Sequence, residues 1–405
     1  ESFDELYVKY ENDESIPKTR VSAQELILDL LKERAETGRI YIMNIDHCNS
    51  HSSFQEKVEM SNLCQEITLP TKPLQHIDGD GEIALCILSA INVGKLRDLS
   101  DFETLCDLSV RALDELIDFQ GYPVKAAEIA TRARRSLGVG FIGLAHYLAK
   151  QGVKYNQPEA WQLVHDLTEA FQYYLIKSSV NLAKEKGACE YSDRTKYAQG
   201  ILPIDTYKKD VDNIVPNKLN YDWELLREEV KQYGIRNSTL SAQMPSESSS
   251  VVSNATNGIE PPRGYLSIKK SKKGPLKQIV PQYGSLKNNY TLLWDMPSNT
   301  GYINVVAVMQ KFFDQAISGN WSYNPEHYEN SEVPVSVMAQ DLLTTYKYGW
   351  KTSYYQNTYD VKTDEIEISV PTGEEEVGIQ GHTQLQSLVN DIMTSDEEAC
   401  ESCSI

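Results

Sequence analysis

The chain has 405 residues, 39 Lys+Arg against 58 Asp+Glu, a formal net charge of −19 and 40% hydrophobic residues. That is enough apolar material for a large core, but no run reaches the roughly 18–20 apolar residues of a membrane-spanning helix, and so acidic a chain repels a phosphate backbone, which argues against nucleic-acid binding. The charge is uneven: from Asp360 to Ile405 there are 12 acids and one base, Lys362, a net −11 that leaves −8 for residues 1–359.

In chain order, Ser22-x-x-Glu25 is a capping box ahead of Leu26, Ile27, Leu30 and Leu31 at helical spacing, and Gly38 suits the helix stop. Arg39–Ile45 reads as a buried strand, 59–69 as extended or loop-like, and Glu82–Ala90 as a second apolar strand. Ser100-x-x-Glu103 opens a helix to about Phe119, and Ala126–Arg135 looks helical and basic. Leu137–Ala145 is apolar and punctuated by glycine; Pro158 starts a long helix that Gly187 ends. Tyr221–Gln232 is a shorter helix, Ser238–Met244 a short strand and Pro334–Tyr348 another helix. Helices alternating with short β-rich runs predict an α/β fold with a largely parallel sheet. Residues 360–399 lack an apolar face apart from a short helical stretch near Leu385–Met393, and read as a flexible linker.

The seven cysteines are odd in number and widely scattered, and no leader-like stretch opens the sequence, so a reducing cytoplasm (a host's, if the chain is phage-encoded) is expected. Cys400-Glu-Ser-Cys403, at the end of the acidic segment, suits a redox dithiol better than a zinc site, which needs a second ligand pair. Gly138-Val-Gly140-Phe-Ile-Gly143 matches the dinucleotide pattern, but a basic helical stretch precedes it where the fingerprint needs a strand. Close strand–helix packing is the preferred reading there.

Asn62-Leu-Cys64-Gln-Glu66 would place an amide, a thiol and a carboxylate on one face if extended, a set able to orient and deprotonate a hydroxyl beside a redox group. A polar turn with an incidental cysteine fits equally well. Met244-Pro-Ser-Glu-Ser-Ser-Ser250 offers hydroxyls and free N–H groups to an anion, or is a serine-rich helix cap. Tyr354-Tyr355 would point to opposite faces of a strand and by itself suggests β packing.

Taken together, Ser61–Glu66, Gly81–Cys86, Met244–Ser249, Asn254–Pro262, Tyr354–Thr358 and the C-terminal cysteine pair resemble the large, catalytic subunit of class I ribonucleotide reductase. The resemblance covers only the C-terminal half of such a subunit. It implies residues 1–358 as the second half of a ten-stranded α/β barrel with a central finger loop, and 359–405 as a flexible acidic tail. Cys64 falls on the radical cysteine, Glu66 on the base for the ribose 3′-OH, Asn62 on the amide that binds the sugar hydroxyls, and Cys86 on one of two reducing thiols. Tyr354 and Tyr355 fall on the radical relay, with Tyr355 on the small-subunit side. Residues Asn62, Leu63, Cys64, Gln65 and Glu66, with Pro245, Ser246, Glu247, Ser248 and Ser249, fall on the substrate site. Cys400 and Cys403 fall on the redox shuttle.

The implied partners are nucleoside diphosphate substrates, a small subunit carrying a dinuclear metal and tyrosyl radical, and thioredoxin or glutaredoxin. The helix Pro334–Tyr348 resembles the region that receives the small subunit's C-terminal peptide. No cofactor is expected on this chain itself, and ATP or dNTP effectors are expected mainly on the family's N-terminal half. The second reducing cysteine belongs to that half, and Cys48, Cys106 and Cys189 lie in unmatched contexts. A separate polypeptide supplying the first half is therefore expected. The competing readings are a non-catalytic fragment that docks on a reductase, and a thiol oxidoreductase that uses only the tail cysteines.

Overall fold

The computed structural model describes residues 3–76, 79, 81–269 and 276–359. The acidic tail, with Cys400, Cys403 and the helix expected near residues 385–393, lies outside the described residues. Eight short strands are present among them: β1 (Ile42–Met43), β2 (Leu88–Asn92), β3 (Gly138–Ile142), β4 (Leu266–Lys269), β5 (Leu276–Ile279), β6 (Trp321–Tyr323), β7 (Thr352–Ser353) and β8 (Gln356–Thr358). β2–β3 and β6–β8 pair in parallel, β1–β7 and β4–β5 antiparallel. Single parallel bridges, Val139 to Ser241 and Gln243 to Ile317, carry the parallel run onward from β3. The expected α/β alternation is present, but the described residues form no closed barrel, and the strand expected over Ser238–Met244 is reduced to those bridges.

The helices pack on this run and form most of the core. Pro158–Lys186 starts with Pro at its first turn, where an N–H has no intrahelical partner anyway, and stops at Gly187. Phe171, midway along it, meets Phe141 of β3 at 4.5 Å and Phe102 of the Asp101–Phe119 helix at 5.6 Å between ring centroids. All three rings are fully buried, each contributing about 1.5–3 kcal/mol. The helix Thr300–Gln310 is buried from Gly301 to Gln310. A helix apolar all round shows no amphipathic period, which is why the sequence reading passed over it.

Other elements shift from expectation for local reasons. The Arg39–Ile45 strand shrinks to β1, and the Glu82–Ala90 strand begins only at Leu88. Glu82 is held instead by ion pairs to Lys72 at 2.6 Å and Arg134 at 2.8 Å, which anchor the preceding segment through side chains. The glycine motif lies inside and just after β3: a Cβ on Gly140 would come within 2.6 Å of the Ala242 carbonyl, and Gly143 needs φ +82° to start the next helix. Close packing is thus the role of these glycines. The Ala23–Thr37 helix has Ser22 Oγ accepting from Glu25 N–H at 3.3 Å and Gly38 at φ +70°. Of the four apolar residues read at helical spacing only Leu31 is buried, while Leu26, Ile27 and Leu30 are exposed; Arg34, which that reading did not include, is buried as well. No helix among the described residues is long and apolar enough to cross a membrane.

Candidate active site

Residues 59–69 form a loop, not the pleated segment that would have aligned Asn62, Cys64 and Glu66. Asn62 closes the loop: its N–H donates to Ile67 O at 3.2 Å, its Oδ1 accepts from Ile67 N–H at 3.0 Å, and its carbonyl accepts from Gln65 N–H at 3.1 Å. Gln65 takes a left-handed φ of 67°, costly for a residue with a Cβ. Surrounding bonds hold it there. Its amide is oriented to donate to Ile42 O and Ser353 O, each at 3.2 Å, and its carbonyl accepts from Thr352 Oγ1 at 3.1 Å. Leu63, at the tip, is exposed.

Loop closure therefore gathers the polar set. Asn62 Nδ2 lies 3.6 Å from Cys86 Sγ and also hydrogen-bonds Glu66. Ser318 Oγ donates to the Cys64 carbonyl and stands 3.3 Å from Glu66 Oε2. Glu66 is 2% exposed; burial pushes its carboxyl above the usual range, against hydrogen bonds from Asn62, its own backbone and Ser318. The Cys86 thiol keeps an exposed face but is pushed up to about 11, first by partial removal from water and then by the Glu66 charge. Cys86 is thus a thiol at neutral pH, and Glu66 is a base poised closer to neutrality than an exposed carboxylate. Cys48, Cys106 and Cys189 are buried, and Cys48 packs with Phe54, Val58 and Ile67.

Tyr354 and Tyr355 lie between β7 and β8 and belong to neither, so the expected alternation across a strand does not apply. Their rings stack at 4.0 Å between centroids, inclined by 51°. Tyr354 Oη reaches Cys64 Sγ at 3.6 Å. Tyr41, just before β1, packs on both rings at 4.7 and 5.5 Å, and burial raises its phenol to about 12. Lys351, fully buried, donates to the carbonyls of Asp314 at 2.9 Å and Gln315 at 2.8 Å, and burial lowers its ammonium to about 7. Tyr41, Ser318 and Lys351 carried no local signal in the sequence, because their importance comes from neighbours distant along the chain.

The serine-rich segment leaves the same end of the parallel run. Gln243 N–H donates to Ala316 O at 3.1 Å and Ser318 N–H to Gln243 O at 2.9 Å, so Met244 emerges beside the 316–318 segment, which bonds the loop of Cys64 and Glu66 through Ala316 N–H to Glu66 O at 3.0 Å. Ser246 occupies the N-cap of the six-residue helix Glu247–Val252 without a side-chain cap; its Oγ donates to Met244 O at 3.1 Å. Pro245, Glu247, Ser248 and Ser249 are exposed, and Ser249 Oγ donates to Ser246 O at 3.2 Å. A cavity of about 390 Å³, lined in part by Glu247, Glu260, Arg263, Asn320 and Tyr355, opens beside this helix. Away from the site, His165, Asp166 and Glu169 cluster within 4.8 Å, but Glu169 accepts from Asn220, Tyr221 and Trp223, and Lys311 Nζ lies 3.2 Å from His165 Nε2. That cluster is a satisfied structural network.

The sequence profile of the ribonucleotide reductase barrel domain matches residues 1–356. The chain is 60% identical over 368 residues to the ribonucleoside-diphosphate reductase subunit alpha of Haemophilus influenzae, covering 90% of this chain and 49% of that protein. It is 55% identical over 376 residues to the ribonucleoside-diphosphate reductase 1 subunit alpha of Escherichia coli, covering 92% and 49%. With the subunit alpha of Enterobacteria phage T4 it shares 45% over 381 residues, covering 92% and 50%. The chain spans about half the length of these curated relatives. A barrel-domain match over most of the chain, on a scaffold whose finger-like loop brings Cys64 against Tyr354, leads to one conclusion: the chain belongs to the ribonucleotide reductase barrel-domain family.

Proposed function

We propose that the chain is the catalytic half of a ribonucleoside-diphosphate reductase large subunit, converting ribonucleoside diphosphates to 2′-deoxyribonucleoside diphosphates. The observation that carries this reading is the line from Tyr355 through the adjoining, tilted ring of Tyr354 to Cys64, whose thiol Tyr354 Oη meets at 3.6 Å. In this scheme a small subunit supplies the oxidising equivalent. Tyr355 and then Tyr354 each give up and regain an electron and a proton, and Cys64 becomes the radical that generates one at ribose C3′. Glu66 takes the 3′-OH proton, with Asn62 holding the hydroxyl edge. The 2′-oxygen leaves as water, and Cys86 with a second thiol supplies two electrons and closes a disulfide. Cys400 and Cys403 then re-reduce that disulfide and are themselves served by thioredoxin or glutaredoxin. The exposed Ser248 and Ser249 hydroxyls receive the diphosphate.

The second thiol and the effector sites for ATP or dNTP fall to the family's first half. The helix Val335–Lys347 is the proposed docking site for the small-subunit tail; Leu343 is 64% exposed there. A cytoplasmic setting goes with dithiol chemistry. The test is reconstitution of this chain with the first half and a small subunit, followed by nucleoside diphosphate turnover. Activity in the mixture that Cys64→Ser abolishes is the expected result; turnover that survives Cys64→Ser refutes the scheme, and a mixture without turnover favours a non-catalytic docking fragment.

A further inference from the structure

Adjacent residues of a strand send their side chains to opposite faces, yet Tyr354 and Tyr355 stack at 4.0 Å. The backbone explains how. Between β7 and β8 the dipeptide leaves the ladder: Tyr354 N–H donates to Gly319 O at 2.7 Å and Tyr355 N–H to Asn320 Oδ1 at 3.0 Å. Both carbonyls turn toward one side chain. Arg34, 0% exposed, donates from one guanidinium nitrogen to Tyr354 O at 2.9 Å and from the other to Tyr355 O at 3.2 Å. A third bond runs to the Ile40 carbonyl, just before Tyr41. The guanidinium lies over the Trp321 ring, 4.6 Å from its centroid, which fixes its plane. Tyr355 O has a second donor in Trp321 N–H at 2.9 Å.

No carboxylate among the described residues pairs with this buried cation; its salient acceptors are backbone carbonyls at the relay. A planar, forked donor is the group that can hold two successive carbonyls at once, where an ammonium or an amide cannot do so in the same geometry. We propose that Arg34 is a positioning residue of the tyrosine relay: its guanidinium holds the carbonyls of Tyr354 and Tyr355 and thereby keeps the two phenols stacked and Tyr354 against Cys64. The role in turnover rests on the reductase reading above; the role in ring geometry does not.

The experiment has two arms. Crystal structures of the full chain carrying Arg34→Gln or Arg34→Lys read the ring geometry directly. Expected is loss of the 4.0 Å stack in Arg34→Gln, with a smaller displacement in Arg34→Lys. In the reconstituted complex, kcat should fall by about tenfold or more while KM for the nucleoside diphosphate and small-subunit affinity stay within about twofold. Rings still stacked in folded variants, with kcat within about twofold of wild type, overturn the proposal. Should Arg34→Gln fail to fold, Arg34→Lys, which keeps the charge, decides by the same readings. If the wild-type complex does not turn over at all, the reductase reading fails, and the ring geometry alone decides the role of Arg34.

Discussion

Glu66 shows how one side chain can be tuned by its surroundings. Burial raises its pKa, so its ionised, basic form becomes available only at a higher pH than for an exposed glutamate. The expected pH profile of kcat/KM in the complex therefore rises through a carboxyl pKa above the ordinary range, and Glu66→Gln should remove that limb with a loss of about 10²–10⁴-fold in rate. The same shift has a stability consequence of opposite sign. A raised folded-state pKa means the folded chain binds the proton more tightly, so the ionised group costs stability above its unfolded pKa. Glu66→Gln should thus melt no lower than wild type at pH 7, and its relative stability should grow as pH rises from the unfolded carboxyl pKa through the folded one and level off above it, as thermal scans at several pH values would reveal. Tyr41 is the second residue to test. Its phenol packs on both relay rings and hydrogen-bonds with them. Tyr41→Phe keeps the ring and removes the hydroxyl, so kcat should drop by about 3–10-fold with KM unchanged, matching the loss of one hydrogen bond. Tyr41 was not legible from the sequence; Glu66 was recognisable as a candidate base, but not its burial, to which Ser318, some 250 positions away, contributes.

At the scale of elements, the site depends on a loop tied down at both ends. Its downstream end is the segment from Lys72 to Glu82, and Glu82 is clamped by Lys72 and by Arg134 at the end of the Lys125–Arg134 helix. Arg134 also meets Glu56 at 2.7 Å on the upstream side. With both Arg134 and Glu82 almost wholly buried, Arg134→Met leaves the Glu82 carboxylate to the part-exposed Lys72 alone and should lower stability in urea unfolding at pH 7, by less than the about 3–5 kcal/mol of a wholly unpaired buried charge. The double variant with Glu82→Gln should recover part of that loss, because the under-compensated charge is gone. Hydrogen bonds and ion pairs to Lys72 and Arg134 outweigh burial and lower the Glu82 pKa. The clamp's contribution is therefore fully present above the unfolded carboxyl pKa and disappears as pH falls through the folded one. The spacing of Ser22, Leu31 and Gly38 made one helix readable, but the sequence reading passed over Arg34, whose burial and partners come from residues 320 positions away.

For the whole molecule, exposure is the informative quantity. Val21, Leu26, Ile27 and Leu28, at and just before the Ala23–Thr37 helix, and Leu108 and Phe119 on the Asp101–Phe119 helix, all lie open, with Phe119 at 89%. Apolar surface of this kind is stabilised by burial. The relatives are about twice as long, so the first half of the family's length is the proposed cover. The isolated chain should bind a hydrophobic dye such as ANS, and adding the first half should suppress that fluorescence and raise the melting temperature with concentration. A dye signal unchanged by the added half would place the contact elsewhere. Turnover itself is expected only in the mixture. With Cys400→Ser and Cys403→Ser, it should stop once the active-site thiols are spent under thioredoxin and resume with a small dithiol able to enter the site.

The sequence by itself determined the family, proposed the reactive groups and located several of the longer helices, because short motifs, caps and helical periodicity are local properties of the chain. It also located −11 of the net −19 in residues 360–405. Tertiary structure decided how those groups meet. Asn62, Cys64 and Glu66 converge through a loop closed by Asn62 and a left-handed Gln65, where the sequence had left an extended segment and a polar turn equally open. The tyrosines stack because their dipeptide leaves the ladder and turns its carbonyls to Arg34, some 320 positions earlier in the chain. The fully buried Thr300–Gln310 helix carries no period to read. Contacts between residues hundreds of positions apart leave no periodic trace in the sequence; they exist only once the chain has closed on itself.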